Sequence, residues 1–183
     1  MKSRMLVPTL ALALILASAA GATASESLVL NGSGVRTKLI LGAMYELSLY
    51  VPDSLKGSTA PALIDADQPM EFVLTIQSSL ITRARFVEAT TEGFAKAAEA
   101  GYASEKTPAF LDQFAATEFK KGDVIVMRYA SGGLATSYQK QADGSEAKLG
   151  TIPGLGLKKA LFAIWLGKAP VQESLKKSLL GAP

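Results

Sequence analysis

Hydrophobic and polar residues alternate along much of the chain, which is the pattern of half-buried β-strands. In the segment 44–51, every second residue from Tyr45 to Val51 is hydrophobic, while Glu46 and Ser48 lie on the opposite face. The sequence Asn31-Gly32-Ser33-Gly34 has turn composition and predicts a hairpin turn between the first two strands. The predicted strands are Leu28–Leu30, Val35–Leu41, Met44–Val51, Met70–Gln77, Asp123–Tyr129, Leu134–Lys140 and Ala147–Ile152.

The period changes to that of a helix between Leu80 and Ala100, and Gly101 is placed to end that helix. Further helical patterns predict a helix that opens at Thr107-Pro108, helices over Leu155–Leu166 and Pro170–Leu180, and a short helical turn around Ala62–Ala66. Strands and helices therefore come in separate groups rather than in regular alternation. This order predicts an α+β domain whose helices cover one face of a mostly antiparallel sheet.

The first 24 residues have the composition of an export signal. Lys2 and Arg4 precede an apolar run from Leu6 to Leu16, which is too short to span a bilayer, and Ala22-Thr23-Ala24 forms a small-residue cleavage site. We therefore predict a signal peptide over residues 1–24, a single domain over 25–183 and a periplasmic location. A retained N-terminal anchor is the alternative.

The residue types that are missing exclude much catalytic chemistry. The chain has no His and no Cys, so it cannot build a Ser-His-Asp triad, a Cys-His pair, a His-ligated zinc site or a disulfide. We expect no cofactor and no metal. The basic residues are dispersed as pairs such as Lys158-Lys159, which we interpret as solvated, so we expect no nucleic-acid partner. We also expect a monomer that meets a membrane only through its export signal.

Arg36 has two interpretations. Strand alternation groups it with Lys38 and Ile40, opposite Val35 and Thr37, and favours a solvent-facing cation. Alternatively, a guanidinium beside a glycine-rich segment offers two parallel donors to a carboxylate or phenolate. Tyr45 and Tyr50 fall on opposite faces of their strand, so at most one of them can share a pocket with Arg36.

Three other motifs carry weaker signals. Gly154-x-Gly156 lacks the third glycine and the context of a phosphate loop, so it predicts a turn into a core helix that carries Trp165. Asp65-x-Asp67 lacks the remainder of a calcium loop and is interpreted as a polar loop. Arg83 and Arg85 are interpreted as a solvated pair, although Arg85 could face a cleft.

Four segments together resemble the chalcone isomerase superfamily, and more specifically its exported bacterial chalcone isomerase-like branch. They are "LNGSGVR", "YELSLYVP", "KKGDVIVMRYASGGLATSY" and "LKKALFAIWLGKAPVQESLKKSLLG". The resemblance covers nearly the whole chain after residue 24. It implies an open-faced β-sandwich, in which a large antiparallel sheet lies under a helical layer and a ligand cleft separates the two.

The resemblance also implies site residues. Arg36 matches the arginine that stabilises the enolate in the plant enzymes, which close a ring without a cofactor. Phe86 and Gly93 stand where those enzymes carry a helix tyrosine and an asparagine, and Tyr45 falls near their strand threonine. Because the helix hydroxyl and amide are missing, the resemblance argues against true chalcone isomerisation.

Three functions are compatible with these features. The first is non-catalytic binding of a small apolar acid such as a fatty acid, in a cleft with Arg36, Tyr45, Phe86 and Gly93. The second is a cofactor-independent isomerase, an intramolecular lyase acting on an enone, with Arg36 and Tyr45 as catalytic groups. The third is a structural or interaction module of the cell envelope.

Overall fold

The computed structural model describes residues 27–130 and 132–181. The predicted signal peptide lies outside the described residues, as do the first two residues of the predicted domain. Six strands form one antiparallel sheet in which each strand pairs with its neighbour in sequence. They are β1 (Leu28–Lys38), β2 (Gly42–Pro52), β3 (Met70–Ile76), β4 (Val124–Ala130), β5 (Gly133–Gln139) and β6 (Glu146–Pro153).

The helices lie against this sheet. They are α1 (Ala60–Asp65), α2 (Arg83–Glu99), α3 (Thr107–Asp112), α4 (Leu155–Leu166) and α5 (Glu173–Leu179), with a short 3-10 helix at Asp53–Leu55. The helix α4 is central, since it contacts α1, α2, α5 and the sheet and is buried from Leu157 to its end except at Lys159. Aromatic contacts join the two layers, with Phe72 of β3 at 4.5 Å from Phe162 and 5.0 Å from Trp165 between ring centroids. The α+β prediction, an open antiparallel sheet under a helical layer, is confirmed.

The predicted turn at Asn31–Gly34 is wrong. Strand β1 runs without interruption through these residues, with a bulge between Leu30 and Gly32, and the chain reverses at residues 39–41 instead. A Cβ atom on Gly32 would overlap the carbonyl oxygen of Ser178, and one on Gly34 would lie 2.8 Å from the Cβ of Ser178. These glycines therefore let α5 approach the sheet closely, a role that local turn statistics cannot separate from a turn.

Two helices begin later than predicted. Helix α2 begins at Arg83 rather than Leu80, because the Thr82 hydroxyl caps it by accepting from the Arg85 N–H at 3.3 Å. Helix α5 begins at Glu173, three residues later than predicted. Among the described residues, no helix is both long enough and apolar enough to span a membrane.

Lys158 is not solvated, contrary to the sequence interpretation. It is fully buried, and its ammonium donates to the carbonyls of Leu63, Ile64 and Ala66 at 2.5, 2.9 and 2.9 Å. These carbonyls lie in the last turn of α1 and just beyond it, where a helix leaves its acceptors unpaired. Lys158 thus ties α4 to the end of α1, while its neighbour Lys159 pairs with Asp65 at 3.0 Å on the surface.

Candidate functional site

A cavity of about 510 Å³ lies between the sheet and the helical layer. Its floor comes from β1, β2 and β3, and its walls come from α2, α4 and the segment before α5. Most of its lining is apolar, in the proportion expected for a small-molecule site. The apolar lining side chains are Leu41, Met44, Leu74, Leu80, Ile81, Phe86, Ala89, Ile164, Trp165 and Val171.

The four residues that the family resemblance implies all line this one cavity: Arg36, Tyr45, Phe86 and Gly93. Arg36 and Tyr45 come from adjacent strands and stand directly opposite each other in the β1–β2 register. Directly opposed residues on an antiparallel pair project to the same side, so the two side chains share a pocket. Tyr45, and not Tyr50, is therefore the tyrosine beside Arg36.

Arg36 does not take the solvent face that simple alternation favoured. It is half-buried and lines the cavity, whereas Ile40 is exposed. Alternation grouped Arg36 with Lys38 correctly, since both line the cavity, but the covered face is theirs and not that of Val35, which is 41% exposed. Alternation assigns residues to the two faces of a strand, and it does not show which face the helical layer covers.

The Arg36 guanidinium is positioned by protein acceptors but is not neutralised by them. Its Nη1 donates to the Thr37 carbonyl at 2.6 Å and to Oε1 of Gln172 at 2.8 Å, and the same Oε1 accepts from the Thr37 N–H at 3.0 Å. Among the described residues, no carboxylate pairs with Arg36 and no acceptor takes a hydrogen bond from its Nη2 or Nε. The group can therefore receive an anionic ligand.

Tyr45 is held by the indole of Trp165, whose Nε1 donates to the tyrosine hydroxyl at 2.9 Å. Burial raises the pKa of Tyr45, against the opposing effects of the Trp165 hydrogen bond and the Arg36 charge, so the phenol keeps its proton at neutral pH. Because its oxygen is already an acceptor, the hydroxyl proton can be donated into the cavity. Sequence reasoning placed Trp165 in the core and missed this contact. The available signal was the indole N–H, which needs a partner when buried.

Phe86 and Gly93 shape the wall that α2 provides. The Phe86 ring packs edge-on against Phe114 and Phe119, each at 4.9 Å between centroids, so it is fixed by an aromatic cluster. A Cβ on Gly93 would lie 2.8 Å from Cγ2 of Ile164, which shows how closely α2 approaches α4 there. Neither residue brings a polar side-chain group to the cavity.

The charged residues of the lining are mostly cations. Arg36, Lys38, Arg85 and Lys96 outnumber Glu88 and Glu92, and both carboxylates are on exposed positions of α2. Among the described residues, there is no cluster of three or more His, Cys, Asp or Glu side chains placed to hold a metal ion. The arrangement can thus hold one acidic group at Arg36 and Tyr45 and enclose an apolar body beyond it.

Comparison with known proteins supports the fold. A family model described as chalcone isomerase-like matches residues 16–181. A search of the curated proteins finds no match. Among solved structures, the crystal structure of a fatty-acid binding protein from Arabidopsis thaliana is similar, with a TM-score of 0.63 and 18% sequence identity over 85% of this chain and 87% of that one. At this identity the likeness concerns the fold alone. Because the family model spans most of its length, the chain belongs to the chalcone isomerase-like family.

Proposed function

We propose that this protein binds a small apolar acid, such as a fatty acid, without transforming it, and that the carboxylate pairs with Arg36. The observation that carries the proposal is a cavity-lining guanidinium with no carboxylate partner among the described residues. A charged group in a mostly apolar cavity is costly to desolvate, and a ligand carboxylate offsets that cost by charge-assisted hydrogen bonding.

The polar end of the cavity supplies donors of the right kind. Gln172 and Thr37 hold Nη1 of Arg36 and fix the plane of its guanidinium, so Nη2 and Nε remain for the ligand. The Tyr45 proton is a third donor close by, since Tyr45 stands opposite Arg36 across the strands. The two guanidinium donors and the phenol can together bind the two oxygens of a carboxylate.

The rest of the cavity suits an alkyl chain. Its volume of about 510 Å³ falls within the range of about 300–1,000 Å³ usual for ligand sites. Phe86, Ile164 and Leu74 provide apolar walls, and the groups contributed by α2 at Phe86 and Gly93 offer no side-chain hydrogen bonds to a polyphenol. The similar Arabidopsis structure carries the description of a fatty-acid binding protein, which agrees with this class of ligand.

The location forms part of the proposal. The basic start, short apolar run and Ala22-Thr23-Ala24 site support export with cleavage near residue 24. The protein would then bind its ligand in the periplasm.

One observation favours a second candidate, a cofactor-independent isomerase. Tyr45 keeps its proton beside the Arg36 cation, and a phenol next to a guanidinium could protonate the carbon of an enolate that the cation stabilises. Turnover by the wild-type protein on a panel of chalcones and related enones, lost in Tyr45→Phe, would support catalysis instead of carriage.

The binding test uses Trp165, the only tryptophan of the chain, as an internal reporter that lines the cavity. Saturated fatty acids of increasing length and the alcohols of equal length are titrated while indole fluorescence is recorded. We expect wild-type protein to bind acids more tightly than alcohols. In Arg36→Met this preference should disappear, with a loss of about 3 kcal/mol, or roughly 100-fold in Kd, for the acids.

The matched control is Gln172→Ala. It removes the same contact between β1 and the segment before α5 but keeps the guanidinium, so acids should still bind in preference to alcohols. Circular dichroism checks that both variants fold. If Arg36→Met binds acids as tightly as the wild type, Arg36 is not the anchor and the proposal fails.

A further inference from the structure

The hairpin between β1 and β2 ends in three consecutive apolar residues that protrude into solvent. Leu39 is 93% exposed, Ile40 97% and Leu41 50%. Turns at such positions normally carry polar residues or glycine, since exposed apolar side chains gain nothing from folding. Leu80, in the segment before α2, adds a further exposed apolar side chain at 37%.

This apolar tip stands at the entrance of the cavity. Leu41 and Leu80 both line the cavity while remaining exposed. The hairpin and the segment before α2 are joined, because the Gln77 N–H donates to the Met44 carbonyl at 2.9 Å. The apolar surface is thus continuous with the opening of the cavity.

The charges around the tip are positive. The segments 32–45 and 72–87, which form this end of the molecule, contain Arg36, Lys38, Arg83 and Arg85 and no Asp or Glu. Glu88 and Glu92 of α2 also line the cavity, but the cations Arg36, Lys38, Arg85 and Lys96 outnumber them. Glu118 shares a shallow surface depression with Arg83 and pairs with Lys120 at 3.6 Å. Apolar side chains surrounded by cations are the composition of surfaces that sit on anionic lipid headgroups.

The backbone of the tip is also unusual. Leu41 N–H donates to the Lys38 carbonyl at 3.1 Å, which closes a four-residue turn, and Ile40 is its third residue with φ of 73°. Glycine or asparagine is normal where the third residue of a turn has positive φ, and a β-branched residue is strained there. Residues with strained backbone conformations cluster at functional sites, where the surrounding structure maintains them.

We propose that residues 39–41 dock this protein on the surface of an anionic lipid bilayer, with Leu39 and Ile40 in the interfacial region and Lys38 and Arg83 among the headgroups. The cavity entrance then opens at the membrane, where apolar acids partition. The inference goes beyond ligand binding, and docking requires no occupied cavity. The two proposals can therefore fail independently.

Co-sedimentation with vesicles tests the docking. The chain from residue 25 onward, without ligand, is mixed with vesicles of phosphatidylglycerol and phosphatidylcholine or of phosphatidylcholine alone. We expect binding to the anionic vesicles that weakens as salt is added. The double variant Leu39→Ser/Ile40→Asn should bind on the order of tenfold or more weakly, and Lys38→Gln roughly fivefold more weakly.

Leu30→Ser is the matched control, since Leu30 is 46% exposed but lies at the other end of β1, opposite Tyr50. It should bind as the wild type does. Asparagine tolerates positive φ, so the double variant should fold, and Leu39→Ser/Ile40→Gly replaces it if circular dichroism shows otherwise. The proposal is overturned if the wild type ignores anionic vesicles, if the tip variant binds undiminished, or if light scattering shows that the tip pairs two copies of the chain without vesicle binding.

Discussion

Replacing Ile40 with glycine should stabilise the protein, although it removes a large apolar side chain. Ile40 is the only non-glycine residue with positive φ among those the structure describes, and its φ is 73°. An L-residue in the left-handed region places its Cβ against the following carbonyl oxygen, and a second branch on that carbon worsens the contact. Glycine removes the clash.

Three contributions set the magnitude. Relief of the left-handed backbone is worth about 1–2 kcal/mol. The side chain is 97% exposed, so its removal forfeits almost no burial. Glycine gives the unfolded chain extra freedom, which costs about 0.5–1 kcal/mol. The net gain in unfolding free energy is therefore between about 0 and 1.5 kcal/mol, with a central value of about 0.7 kcal/mol.

Leu39→Gly separates the backbone effect from the loss of a leucine-sized side chain. Leu39 is 93% exposed, and its φ is not positive. This variant therefore incurs the entropic cost of glycine without relief of strain and should lose about 0.5–1 kcal/mol. The two glycine variants should differ by about 1–2 kcal/mol, in favour of Ile40→Gly.

Urea unfolding of the chain from residue 25 onward measures these differences in the wild type, Ile40→Gly and Leu39→Gly. The comparison requires that the unfolding free energy fall with urea concentration at the same slope in all three proteins. In thermal unfolding, the separation between the two variants should be about 2–8 °C for a domain of this size. If Ile40→Gly loses as much stability as Leu39→Gly, the left-handed residue carries no strain and the reasoning is refuted.

Two further changes test the packing. Gly32→Ala should lower the unfolding free energy by about 2 kcal/mol or more in urea, because its Cβ would overlap the Ser178 carbonyl. The control Gly156→Ala meets no atom within 4 Å and should be neutral or stabilising. Burial lowers the pKa of Lys158 from 10.5 to about 8, so the unfolded chain binds more protons between those pH values. The unfolding free energy of the wild type should therefore rise with pH across that window, by up to about 3 kcal/mol relative to Lys158→Met. If the unfolding free energies of the wild type and Lys158→Met instead change with pH in parallel, the three carbonyl acceptors fully offset the cost of burying this ammonium.

The sheet could be predicted from sequence because its strands alternate locally. Every second residue from Met70 to Ile76 is buried in the structure, as the period of two requires. The starts of α2 and α5 were harder to predict, since a single residue such as Thr82 decides where a helix begins. Element type follows from pattern over several residues, whereas a boundary depends on one hydrogen bond.

The features that sequence reasoning missed depend on distant residues. Gly32 must lack a side chain because the carbonyl of Ser178 in α5, about 146 positions along the chain, lies against it. No local sequence signal distinguishes such a glycine from one in a turn. Lys158 is buried because the end of α1 presents carbonyls to it, whereas its neighbour in the same dipeptide is on the surface. The face of Arg36 depends on which side of the sheet the helices cover, and alternation groups Arg36 with Lys38 without showing that their side is the covered one.

The tip and the cavity make the strain of Ile40 informative about function. A strained, exposed isoleucine lowers stability and gains no packing, so a sequence under selection for stability alone would carry glycine or asparagine there. If Ile40→Gly is more stable and also loses vesicle binding, stability is given up at this position to present an apolar side chain to lipid. If it is more stable and still binds vesicles, Leu39 and Leu41 suffice and the strain at Ile40 is incidental. Measuring both the unfolding free energy and the vesicle binding of Ile40→Gly therefore shows whether the positive φ of Ile40 serves function, which neither measurement shows alone.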